Sequence, residues 1–231
     1  MRTLLVFFNK SSSDTNDAMD KIEEEMAPKL AAHQDAINLN PALYARIKSL
    51  YDNRESIGLN TEDAWLLERY YKDLIHAGAH LSESQRDRLK ELNEELSKLE
   101  TQFSKNVLAD TNDLAVLVDT IDELDGLSEN EIASAAAAAK DRGHEGKWLI
   151  GMVNFSGNPV LDSLTNRALR KKIMQDSLLK GNRANENDNK PVILKVVKLR
   201  AERAKLFGKN THAEHVIAVQ TAEHPDNVHA M

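Results

Sequence analysis

The sequence predicts a mainly α fold, a multi-helix domain interrupted once by a small two-stranded antiparallel β element. Three observations carry that expectation. Apolar residues recur three and four positions apart over long windows, Asn-Pro and capping-box signals stand where those windows begin, and only two runs, at about 114–119 and 147–154, have strand-like apolar content. With 231 residues, 41% of them hydrophobic, the chain is long enough to bury a core. It reads as a single helical domain over 1–231 with a subdivision near 112–157.

Taken in order, Ser13 or Asp14 caps a helix carrying Ala18, Ile22, Met26 and Leu30. Asn40-Pro41 starts another, because proline at the first helical position forfeits an N–H that has no partner there anyway. That helix carries Leu43, Ile47, Leu50 and Tyr51 and breaks at Gly58. A third begins at Asn60 or Thr61 and runs to Gly78. The strongest pattern follows Ser82 and Gln85, where Leu89, Leu92, Leu96, Leu99, Phe103 and Val107 stripe one side of a helix of about 28 residues.

After the first strand, Ser128 and Glu131 have capping-box spacing and lead into an alanine run, Ala135 to Ala139, that favours helix and close approach by a neighbour. Asn158-Pro159 opens a helix with Leu161, Leu164, Ala168, Ile173 and Leu178, ending at Gly181. Residues 182–190 are polar and turn-rich. Pro191 starts a helix to Phe207, Asn210 or Thr211 another to about Ala222, and Pro225 a last turn or two.

The 30 basic and 37 acidic side chains give a net charge of −7 with both signs scattered, so no basic stripe for a nucleic-acid partner is present. The absence of cysteine excludes disulfides, thiolate metal sites and cysteine nucleophiles, and suits a cytoplasmic protein. No run approaches the roughly 18 apolar residues that a bilayer span requires, so no membrane association is expected. Met1 to Phe8 is too short in its apolar part for a targeting signal and reads as a buried helix or extended segment.

A zinc hydrolase motif needs two histidines four apart on one helix, with glutamate after the first. The single His-Glu dipeptide, His144-Glu145, is followed by Gly146, Lys147 and Trp148, so the second histidine is missing and a solvated turn is the plainer reading. His212 and His215, three apart, are the candidate metal ligands, with Glu223, His224 or His229 as a third. An ordinary polar helix face explains them as well, and no catalytic or cofactor-binding residue is assigned. Ser11-Ser12-Ser13 lacks a nucleophile elbow and no glycine-rich phosphate loop occurs. Arg167, Arg170, Lys171 and Lys172 read as a solvated face, and Trp65, Tyr70, Tyr71 and Trp148 as core.

Several phrases occur in series: Ser13-Asp-Thr-Asn-Asp17, Ala77-Gly-Ala-His-Leu81, Lys147-Trp-Leu-Ile150, Arg183 with Asn187-Asp188, Leu199-Arg-Ala-Glu-Arg-Ala-Lys-Leu-Phe-Gly208, and His212-Ala213. In that order they resemble the N-terminal helical region of M3-family (thimet oligopeptidase family) zinc metallopeptidases, bacterial peptidyl-dipeptidases and oligopeptidase A above all. The resemblance implies a helical clamshell around a channel for short peptides, with zinc held by a His-Glu-Phe-Gly-His motif and a later glutamate in the other half. None of those positions occurs in this sequence. The expectation is therefore a non-catalytic segment of such an enzyme, with no cofactor of its own and zinc in the parent. The alternative is a truncated helical interaction or scaffold module that forms a homo-oligomer through exposed apolar helix faces.

Overall fold

The computed structural model describes residues 2–152 and 157–231. Among them are eleven α-helices and one two-stranded antiparallel sheet, the mainly α architecture that the spacing predicts. The chain divides into two compact units, Met1–Thr101 with Leu194–Met231, and Gln102–Ile193.

In the first unit, α1 (Arg2–Ser11) is helical but not buried, with Leu5 and Val6 each 65% exposed. The next helix, α2 (Asp17–Asn38), starts later and runs longer than its apolar spacing suggests. Asn16, rather than Ser13 or Asp14, accepts from the N–H groups of Ala18 and Met19 at 3.1 Å, and the helix continues through Pro28. Asn40 caps α3 (Pro41–Asp52) and Asn60 caps α4 (Thr61–Ala77). The two pack together, with the rings of Tyr51 and Tyr71 stacked at 4.0 Å. Trp65 and Tyr70 depart from the expected core role: both point largely to solvent.

Gly78 ends α4 in the left-handed conformation, φ +104°, which lets its N–H reach the carbonyls of Leu74 and Ile75. The long helix α5 (Glu83–Asp113) starts at Ser82, whose N–H donates to the Gln85 side chain at 3.1 Å while Gln85 N–H donates back to Ser82 Oγ at 3.4 Å. Its stripe is buried at Leu89, Leu92 and Leu96, and Leu89 clusters with Leu39, Leu81, Leu206 and Phe207. Toward the C-terminus come α9 (Lys190–Leu206), α10 (His212–Ile217) and α11 (Pro225–Ala230). α10 stops well short of Ala222. Val219 beyond it is exposed, so no packing rewards another helical turn.

In the second unit, β1 (Val116–Val118) pairs antiparallel with β2 (Trp148–Ile150), matching Val116 with Ile150 and Val118 with Trp148. The strands are shorter than read from the sequence, and Val153 and Asn154 of the expected second strand lie outside the described residues. A 3₁₀ turn, Ile121–Leu124, precedes α6 (Glu129–Asp141), whose capping box at Ser128 and Glu131 is fully formed. α6 packs on β2 through buried Ala135 and Ala139, side chains small enough for close contact.

The single helix expected from Asn158 onward is two, α7 (Gly157–Ser163) and α8 (Arg167–Ser177). Between them Thr165 is held by Asp125, donating its N–H to the Asp125 carbonyl at 2.9 Å and its hydroxyl to the carboxylate at 2.6 Å. Asn166 then caps α8. Val116, Val118, Leu124, Ile150, Leu164 and Ile173 form the centre of this unit's core.

Candidate functional site

Gly208, at φ +66°, turns the chain out of α9, and Thr211 starts α10 by accepting from Glu214 N–H at 3.1 Å. His212 and His215 therefore sit one helical turn apart, as their spacing predicts. The His215 ring, however, is covered on both sides. It stacks on His76 at 4.2 Å and 6°, and on Phe207 at 4.2 Å and 28°. Burial, together with the positive charge of His76, Arg203, His212 and Lys209 when protonated, lowers its pKa to about 4. Burial also lowers the pKa of His76 and of His212, with Arg203 adding to both. All three imidazoles are thus biased toward the neutral form.

These residues do not fit zinc. A guanidinium stands close by, and among the described residues no three His, Asp or Glu side chains converge on a metal position. Of the residues read as a third ligand, His224 accepts from Asp226 N–H at 3.2 Å as the cap of α11, and Glu223 and His229 are exposed. His144 and Glu145 lie in an exposed turn, and Arg170 of the basic group donates to the carbonyls of Leu164 and Thr165.

Beside His76 and His215 lies a cavity of about 460 Å³ within the first unit, bounded by α2, α4, α5 and α9. Its lining mixes the apolar side chains of Leu89, Leu96 and Phe207 with the polar ones of Asp35, Asn93, Glu100 and Arg203. Asn93 bridges the two charges facing it. Its amide donates to Asp35 at 2.9 and 3.2 Å, and its carbonyl oxygen accepts from Arg203 Nη1 at 3.3 Å. Burial raises the pKa of Asp35 against the opposing effects of Asn93, Lys90 and Arg203. Glu100 is engaged by Arg200 at 2.7 Å, and Arg88 holds Glu202 at 2.7 and 3.0 Å.

The second unit contains a polar centre that sequence reasoning missed. Asp110, fully buried on α5, accepts from Gly181 N–H at 2.7 Å, Arg183 Nη1 at 3.0 Å and Asn187 Nδ2 at 3.1 Å. Burial alone would raise its pKa, but these three donors outweigh it and the net shift is downward. One turn earlier, Asn106 donates to buried Asn189 at 2.9 Å, and Asn189 donates to the Phe103 carbonyl at 3.1 Å. The 182–190 loop is thereby tied to α5 by buried polar bonds. A signal existed: positions 106 and 110 continue the stripe through Phe103, and polar residues on an otherwise apolar stripe mark buried hydrogen-bonding partners.

Comparison with known proteins finds relatives along nearly the whole chain. The model of peptidase family M3 matches residues 160–231. Dipeptidyl carboxypeptidase of Escherichia coli is 35% identical over 225 residues, covering 97% of this chain and 33% of the enzyme. The Salmonella typhimurium protein of the same name is 33% identical, with the same coverage of both chains. Oligopeptidase A of Haemophilus influenzae is 28% identical over 95% of this chain and 32% of its own. The chain spans about a third of the length of the curated relatives it matches. The loop that Asp110 anchors and the Arg203-to-His215 stretch both fall inside the matched family region, and the chain belongs to peptidase family M3.

Proposed function

We propose that this segment is a non-catalytic helical part of an M3 zinc peptidase acting on short peptides in the cytoplasm. It would supply scaffold and channel wall, while zinc and its ligands come from elsewhere in the enzyme. The observation that carries this reading is the alignment of nearly all of the chain with only a third of dipeptidyl carboxypeptidase, in a sequence without a His-Glu-x-x-His motif. The lack of fit between His212, His215 and zinc supports it, since a hydrolytic zinc site needs three protein ligands and an open position. The test is hydrolysis of a quenched short peptide with added zinc or cobalt, with and without chelator. The expected outcome is a helical circular dichroism spectrum with no metal-dependent cleavage. Cleavage abolished by chelator and by His215→Ala would overturn the reading and place a new centre on α10.

A second reading, a helical scaffold that self-associates, draws support from Leu194 and Val197, which stand 62% and 59% exposed one turn apart on α9. Sedimentation velocity separates the two: a defined oligomer supports the scaffold, a monomer the enzyme segment.

A further inference from the structure

Among the described residues, the buried side-chain nitrogens without a hydrogen-bond partner are Arg200 Nε, Arg203 Nε and His212 Nδ1. All three belong to the stretch between the last turns of α9 and the start of α10. Buried polar nitrogens are ordinarily paired, because each left unpaired forfeits the hydrogen bonds it made to water. Of the three, Arg203 Nε belongs to a side chain that lines the cavity, and as a nitrogen that only donates it calls for an acceptor there.

Arg203 makes the need specific. Its guanidinium lines the cavity described above, and its recorded bond is the long one to the neutral Asn93 side chain, 3.3 Å. No carboxylate among the described residues pairs with it within 4 Å. The nearby acids are already engaged, Asp35 by Asn93 and Glu100 by Arg200. Desolvation disfavours its charged form, the mark of a cation short of compensation. A guanidinium presents its N–H groups in a planar fork that matches a carboxylate edge, whereas an ammonium would not. The same cavity is also lined by Leu89, Leu96 and Phe207, which offer contact to a small apolar body.

We propose that this cavity is a binding site for a carboxylate borne on a short apolar group, held by Arg203 and flanked by Leu89, Leu96 and Phe207. The site takes no part in hydrolysis, and its existence is independent of the enzyme-segment reading. Two sources can present that chemistry: a free small acid, or the side-chain carboxylate of a polypeptide.

The experiment is titration of the ¹⁵N-labelled 231-residue chain with hexanoate, with its uncharged analogue hexanamide, and with acetyl-leucyl-glutamyl-leucinamide, followed through arginine Nε–H and histidine ring signals. Saturable millimolar binding of hexanoate, at least about tenfold tighter than hexanamide, supports a free acid as the ligand. Binding of the blocked peptide, with hexanoate weaker, supports a polypeptide side chain as the source. Arg203→Lys keeps the positive charge but loses the fork, and is expected to weaken the preferred acid about tenfold or more. Unchanged affinity of the bound acid in Arg203→Lys, binding of hexanamide as tight as that of hexanoate, or no response to either acid would each overturn the proposal. The amide comparison is made in the unsubstituted chain, so the result stands even if the variant fails to fold.

Discussion

At the residue scale the histidine stack gives the chain a pH dependence with a definite sign. His215 has its folded pKa lowered from 6.5 to about 4, and those of His76 and His212 move the same way. Between those values the unfolded chain binds more protons than the folded one, so stability rises with pH through the window and levels off above it. Asp73 opposes the shift at His76 and Glu100 that at His212, while Arg203 reinforces all three and Lys209 adds to that of His215. The urea midpoint is expected to fall as pH drops from 7 toward 5, with a slope approaching 1.4 kcal/mol per pH unit for each fully shifted group. His215→Phe should flatten that slope; an unchanged slope would show that the imidazole titrates freely. Asp110 belongs to a lower window. Its pKa is depressed, so its contribution is complete above the unfolded value near 3.8 and is lost as pH falls through the folded one. At neutral pH, Asp110→Ala leaves Gly181, Arg183 and Asn187 without their acceptor and should lower stability by roughly 2–4 kcal/mol in urea unfolding. The sequence made His212 and His215 legible as a pair on one helix face, since helical spacing is local. It did not reveal that His76 and Phe207 close over His215, because the first contact joins helices far apart in the chain and the second depends on how the chain turns at Gly208.

Elements were most legible where capping chemistry and apolar spacing agree. Asn40, Asn60, Ser82 and Ser128 each start a helix as their side chains predict, and the alanine face of α6 meets β2 as small residues allow. Reading failed where the spacing ran on past a break. Leu161, Leu164 and Ala168 keep helical intervals across the α7–α8 corner, yet Asp125 captures Thr165 there and Asn166 starts a new helix. The reverse occurred in α2, where the four-residue apolar spacing runs only to Leu30 while the helix continues to Asn38. The corner yields a sharp prediction at Gly126. Its φ is +94°, and a Cβ there would collide with the Ser163 carbonyl. Gly126→Ala should cost more than about 1 kcal/mol, seen as a lower urea midpoint, because both the backbone and the contact resist it. Ser128→Ala tests the capping box separately. It removes the acceptor for Glu131 N–H and should cost about 1 kcal/mol, with a loss of far-UV helical signal small beside that of Gly126→Ala.

For the molecule as a whole, the decisive quantity is the mismatch between coverage of this chain, 97%, and of its relative, 33%. On the proposed reading as part of a larger enzyme, the chain is expected to carry apolar side chains that its own helices do not cover. Leu194 and Val197 on α9 fit that description, as do Trp65 and Tyr70 on α4, all more than half exposed. Single exposed apolar residues are ordinary, but neighbours on one helix face form a patch that water disfavours. The chain is therefore expected to raise the fluorescence of anilinonaphthalene sulfonate at neutral pH while its far-UV spectrum stays helical. Leu194→Lys combined with Val197→Lys should reduce that signal and leave the helical content unchanged, since both side chains face solvent. Sedimentation of the same samples completes the argument. A monomer that binds the dye and loses binding in the double variant is a segment with its partner surface bare, whereas an oligomer that excludes the dye and dissociates in the variant has covered that surface with copies of itself. A monomer that binds no dye would remove the basis for both readings of the α9 face, leaving its apolar residues as isolated surface positions.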